Sequence, residues 1–236
     1  MDTFSDAFVW LNDPANWRGE GGVLGLTADH LYVSAMAMLL ACLVAWPLAL
    51  WMGHTGRGGG AAVVVSNVSR AIPTLALLTI FVALFEEFGN NPTILALAIF
   101  AVPPLLANTY TGMREVDPEV VDAARGMGLS GGQVLWRVEV PLAVPLIATG
   151  FRTAAVQVVA TAPLAALVGG SNLGSIITLG FGLQQYDQVI AGGILVAVLA
   201  LLVEGVLALV ERAVSPPSAK RVPRRSRRRA AALAAT

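Results

Sequence analysis

Cysteine occurs once in this chain of 236 residues, histidine twice, and charged side chains make up only 13% of it. The lone Cys42 excludes an intrachain disulfide, and its place inside an apolar run reads as buried filler without thiol chemistry. His30 and His54 are too few and too far apart to form a metal-ligand cluster. No G-x-x-x-x-G-K-[ST] run is present, so the chain offers no loop to cradle phosphates and is expected to lack an ATPase site of its own. Soluble domains carry charge at roughly a quarter of their positions, so the charge content also excludes an ordinary water-soluble core. A cleaved leader is absent by pattern: residues 1–25 mix Asp, Glu, Pro, Gly and Trp where a basic stretch, an apolar run and a small-residue cleavage site would stand. The first apolar span is therefore expected to act as its own targeting signal.

What the chain has in abundance is apolar surface, at 56% of residues, gathered into runs long enough to cross a bilayer. Residues 31–52 carry no charge and would reach about 33 Å as a helix, enough for a hydrocarbon core of about 30 Å. Four more spans are predicted: 61–85, interrupted by Arg70 and Pro73; 92–112, with Pro103 and Pro104 inside; 145–168, with Arg152 near its start; and 188–210, with Glu204 near its end. The prolines should break or kink their helices. Residues 169–187 are apolar but rich in glycine (Gly169, Gly170, Gly174, Gly180, Gly182), which predicts a re-entrant or short surface helix. The expected fold is all-α and polytopic, with about five transmembrane helices spanning 29–212.

Lys and Arg fall mainly on one side of this arrangement: Arg57, the segment holding Arg114, Arg125 and Arg137, and the end of the chain, against Arg18 on the other. The bias places the basic side in the cytoplasm, the N-terminus outside and the C-terminus inside. Residues 1–28 then form an extracytoplasmic segment whose Phe4, Phe8, Val9, Trp10 and Leu11 suggest an interfacial helix. Residues 213–236 form a basic, disordered tail. Its Arg224, Arg225, Arg227, Arg228 and Arg229 resemble a nucleic-acid patch by composition, but directly after a span they read better as a topogenic or anionic-lipid anchor. Tyr32, Trp46 and Trp51, near the ends of the first span, read as an interfacial belt, and no aromatic cage for a cation can be assembled.

The loop 113–145 is too long for a simple connection between packed helices, which usually takes about 2 to 8 residues. Asp117, Pro118 and Glu119 spell a helix start, as N-cap, first-position proline and first-turn acid. Val120, Val121, Ala123, Ala124 and Met127 give a small apolar face, and Gly128 suits a left-handed end. A short helix, capped at both ends and lying outside the bilayer, presents a compact knob to a partner.

The run of Asp122, Ala123 and Ala124, followed by Arg125, Gly126, Gly128, Val138, Val140 and Pro141, resembles the EAA loop of ABC importer permeases, with Asp122 where the pattern usually has Glu. Further segments resemble the glycine betaine, carnitine and choline branch: residues 71–77, 108–112, 117–118, 123–128 and 141–145, with the late acid Glu204. Ala107, where a basic residue is expected, and the looser glycine pattern at 169–174 depart from it. The resemblance implies a MetI-like permease in a bacterial cytoplasmic (inner) membrane whose loop is a coupling helix, with Glu119, Asp122, Ala123, Ala124, Gly126, Gly128 and Pro141 in the part that meets an ATPase. It also implies partners: two ATPase subunits that bind the ATP and Mg, a second permease chain (identical or homologous), and an extracytoplasmic solute-binding protein. This chain itself is expected to bind no cofactor.

Arg70, Arg152 and Glu204 are the charges inside the expected spans, and ionisable groups at membrane depth are functional candidates by default. Either the arginines snorkel to the basic surface, or Arg70 or Arg152 pairs with Glu204 and holds one gate state. Pro73, Pro103 and Gly174 are candidate hinges along a solute path, or kinks alone. Rival readings are a permease of the same family for methionine or sulfonates, an ion-coupled secondary transporter, and an intramembrane enzyme. The secondary transporter lacks visible inverted repeats and midplane ion ligands, and the enzyme lacks a partner acid for Glu204.

Overall fold

In the computed structural model, residues 3–19, 21–60, 72–86 and 88–215 are described, and among these every regular element is helical. In chain order they are α1 (Thr3–Asn12), α2 (Val23–Thr55), α3 (Thr74–Phe85), α4 (Asn90–Arg114), α5 (Pro118–Gly126), α6 (Gly131–Val168), α7 (Gly174–Leu183) and α8 (Tyr186–Val214). Helices α2, α4, α6 and α8 are long and apolar enough to cross a membrane. The 12 residues of α3 and the 10 of α7 reach only about 18 and 15 Å. The rest of the expected second span, Arg70 included, lies outside the described residues, as does most of the basic tail.

The centre of the bundle is α2 packed along α4, with α6 against both of them. The seam is built from small residues. Ala37, Ala41, Ala45 and Ala49 recur every four positions on α2 and are fully buried, so two backbones can approach closely where no hydrophobic drive separates lipid from side chain. Between α4 and α6, glycine does the same: a Cβ on Gly150 would stand 2.6 Å from the Asn108 Cβ, and one on Gly112 2.9 Å from the Leu146 Cβ. Helix α8 rests on α6 and α7, and α1 lies against α8. Leu201, Leu202, Val206 and Leu209 of α8 stay exposed, a face suited to lipid or to another chain.

Several expectations from sequence are revised by this arrangement. Pro103 and Pro104 do not break α4, which runs unbroken from Asn90 to Arg114. The missing amides free the carbonyls four residues back, at Ile99 and Phe100, but tight packing against α2 and α6 keeps the helix whole. The helix that holds the fourth span starts well before Pro145: α6 begins at Gly131, on a capping box between Ser130 and Gln133, and passes through a π turn at Leu135–Glu139. The helix that holds the first span runs beyond 31–52, and Asp29 and His30 lie within α2 with partners described below. Trp46, expected in an interfacial belt, packs on a neighbouring helix: its ring centroid is 6.1 Å from that of Phe151 and its indole nitrogen is buried without a partner. Pro73, by contrast, stands as the cap residue directly before α3, one of the two outcomes its position predicts.

Candidate coupling and gating sites

Helix α5 is made by its own sequence. The Asp117 carboxylate accepts from the Glu119 amide at 2.9 Å, Pro118 fills the first turn, and Gly128 ends the helix at φ +86°. Its packing is on residues 131–139 of the same loop, with Ala124 turned inward and buried. Glu119, Asp122, Ala123, Gly126 and Gly128 are all exposed, and Pro141 is exposed just after the π turn of α6. Asp122 meets Arg125 at 3.9 Å on the open surface, a contact worth little. Val120, Met127 and Trp136 expose large apolar surface, with Met127 at 76%. A rigid, capped, partly apolar knob standing away from the bundle is what a partner protein can grip.

The second group lies within the spans. Arg152 of α6 reaches two acids of α8: its Nη1 is 3.4 Å from Glu204 Oε1 and its Nε 3.1 Å from Glu211 Oε2. Glu204 and Glu211 are seven residues apart, two turns of one helix face, and the guanidinium sits between them. The Thr149 hydroxyl lies 2.8 Å from Glu211 Oε1 and 2.9 Å from the Pro145 carbonyl, so it can donate to either. One cation and two anions share this site, which ties α8 to α6 by charge where the surrounding contacts are apolar. Glu211 was missed in the sequence because the apolar run ends just before it, and the acid looks like the first residue of an aqueous tail. The i, i+7 spacing from Glu204 was the available signal.

At the opposite end of the bundle, the glycine-rich segment is pinned by polar contacts. Ser171 Oγ donates to Asp29 Oδ2 at 2.5 Å, and the Ser171 amide donates to Asn90 Oδ1 at 3.1 Å. Asn172 is fully buried, its Oδ1 accepting from the Gly174 amide at 2.7 Å, and His30 Nε2 lies 3.0 Å from the Val159 carbonyl. Gly174 opens α7 against the Pro163 carbonyl so closely that any Cβ would overlap it. Its role in the structure is thus close backbone packing. Pro103 is buried in α4. Among the described residues no group of three or more His, Cys, Asp or Glu could hold a metal ion.

Residues 37–216 match the family described as "Binding-protein-dependent transport system inner membrane component". The chain belongs to that family. The glycine betaine/carnitine/choline transport system permease protein OpuCB of Bacillus subtilis (strain 168) is 37% identical over 196 residues, 83% of this chain and 90% of that one. The choline transport system permease protein OpuBB of the same organism is 35% identical over 202 residues, covering 86% and 93%. Among solved structures, an inward-facing form of the MetNI methionine ABC transporter superposes with a TM-score of 0.69 at 20% identity, over 80% of this chain and 94% of that one. At that identity the likeness shows the fold alone, a MetI-like ABC permease. Within this family of inner membrane components the chain is a multi-pass transport subunit, working with an ATPase and a solute-binding protein.

Proposed function

We propose that this chain forms the membrane pathway of an ATP-driven importer for quaternary-ammonium osmoprotectants such as glycine betaine, choline or carnitine. The observation that carries the reading is α5, a helix capped at both ends and held clear of the bundle, in a chain whose curated relatives are permeases named for these solutes. The end bearing α5 faces the cytoplasm, as the Lys and Arg bias argues. There Asp122, Ala123, Gly126 and the exposed Met127 dock against an ATPase, and the chain contributes no catalytic residue to hydrolysis.

The complete importer holds two ATPases and a second permease chain, identical or homologous. When the ATPases close on ATP, their docking grooves approach each other and carry the α5 knobs with them, rocking the spans between two packings. Arg152 with Glu204 and Glu211 holds α6 and α8 together in one of these. Solute is handed over by a binding protein on the other face, which fits the absence of an aromatic cage in the sequence. Uptake of labelled glycine betaine, choline and carnitine at high osmolarity, in cells with and without this chain, tests the reading: equal uptake of all three would remove the solute assignment. Retention of the ATPases by the intact chain, and their loss when 122–128 is altered, tests the docking.

A further inference from the structure

The α5 knob rests on residues 131–139, and helix α2 is not among its main neighbours. Its loop is joined covalently to α4 at Arg114 and to α6 at Gly131, while α2 ends elsewhere in sequence, at Thr55. The final turns of α2 nevertheless meet both neighbours. On the α4 side, a Cβ on Gly53 would overlap the Met113 side chain, and the Gly56 position faces the Arg114 guanidinium at 3.3 Å. On the α6 side, His54 Nδ1 lies 2.5 Å from Glu139 Oε2, and a Cβ on Gly131 would stand 3.6 Å from His54 Nε2.

Glu139 is 5% exposed and is the last residue of the π turn that forms part of the α5 platform. A buried carboxylate is costly without a partner, so this contact is strongly held. π turns inside α-helices are also frequent at functional positions. Residues 131–139 are the surface on which α5 rests, so a push on α5 reaches Glu139 through packed backbone, and His54 receives it. Helix α2 is continuous from His54 to Asp29, about 37 Å away, where Asp29 holds Ser171 of the glycine-rich segment.

We propose that His54 and Glu139 form a force-transmitting pair through which movement of the ATPase-docking helix is passed to α2, and along α2 to the Asp29–Ser171 contact at the far end. The pair is a positioning element and touches no solute. It rests on the importer reading but not on which solute is carried.

The test uses the purified complex of this permease with its ATPases in lipid nanodiscs and proteoliposomes. In E139Q, complex yield and ATP hydrolysis without binding protein stay near wild type; in H54A, which leaves Glu139 buried without its partner, yield falls. In both, solute taken up per ATP hydrolysed by the assembled complex falls about fivefold or more. The exchanged pair H54E/E139H recovers most of that ratio. D29N lowers the same ratio, and H54A/D29N is no worse than the lower of the two singles, as expected for one path. A second readout needs no solute: Cys42 is the chain's own cysteine and lies on α2. Its rate of modification by N-ethylmaleimide, read by mass spectrometry, shifts with ATP and vanadate in the wild type and not in H54A. The proposal is overturned if uptake per ATP is unchanged in both single variants, if uptake falls only in step with complex yield, if the effects of H54A and D29N add, or if Cys42 reactivity responds equally in wild type and H54A. A wild-type complex that carries none of the three osmoprotectants refutes the solute assignment alone, because the Cys42 readout still decides the pair.

Discussion

Helix α5 and the Arg152 cluster are built on opposite plans, although both are charged exceptions in an apolar chain. Every feature of α5 lies within about a dozen residues: its cap, its proline, its first-turn acid and its closing glycine. The Arg152 cluster joins two helices that are distant in sequence and has no local signature beyond isolated charges in apolar runs. One can be recognised as a string. The other exists only when α6 and α8 are side by side. The difference follows from the solvent each faces: in water a short helix must satisfy its own ends, whereas at membrane depth an ion must find its partner on another helix.

That contrast can be broken by experiment, and the largest expected effect is at the non-local site. Arg152→Ala leaves Glu204 and Glu211 facing each other without a cation. We expect a loss of about 3 kcal/mol in the stability of the folded permease, the order of one unpaired charge at membrane depth, seen as reduced membrane yield and absent uptake. Glu204→Gln retains the Arg152–Glu211 contact, so yield should survive while uptake falls; loss of uptake that no change at Arg152 relieves would argue that the acid acts apart from the pair.

At α4 and α6, Gly150→Leu forces side-chain atoms into Asn108. A cost of about 1 to 3 kcal/mol from overpacking should appear as a lower thermal transition of the detergent-solubilised protein. At the local site, Met127→Asp removes exposed apolar surface from the knob, and should leave yield and thermal transition unchanged while ATPase co-purification drops. Asp117→Ala, the smallest change, removes a cap worth about 1 kcal/mol. It should lower uptake modestly without affecting membrane yield, and a severe yield loss would show that α5 is more than locally held.

Much of the fold was legible because lipid imposes simple rules. The long apolar runs at 31–52 and 188–210 fall inside α2 and α8, and the crowding of glycine after Val168 correctly limited α7 to less than a crossing. Proline misled where packing outweighed local preference: Pro103 and Pro104 sit inside an unbroken α4, which packs against both α2 and α6. Charge misled at the span ends. Asp29 stands just before the apolar run 31–52, yet Ser171 satisfies it within α2, and Glu211, just after 188–210, joins Arg152. Trp46 resembled an interface anchor, and its contact with Phe151 of α6 had no signal in the sequence.

Sequence by itself determined the solvent, the helical class, the approximate spans and the capped α5 with the pattern of its family, because each of these depends on neighbours in the chain or on summed apolar content. Tertiary structure alone decided which charges meet: His54 with Glu139, Arg152 with Glu204 and Glu211, Asp29 with Ser171. Those pairings require helices from distant parts of the chain to lie at one depth and in one rotation. That register is set by the small residues along α2 and between α4 and α6, whose close backbone approach is a property of the packed bundle.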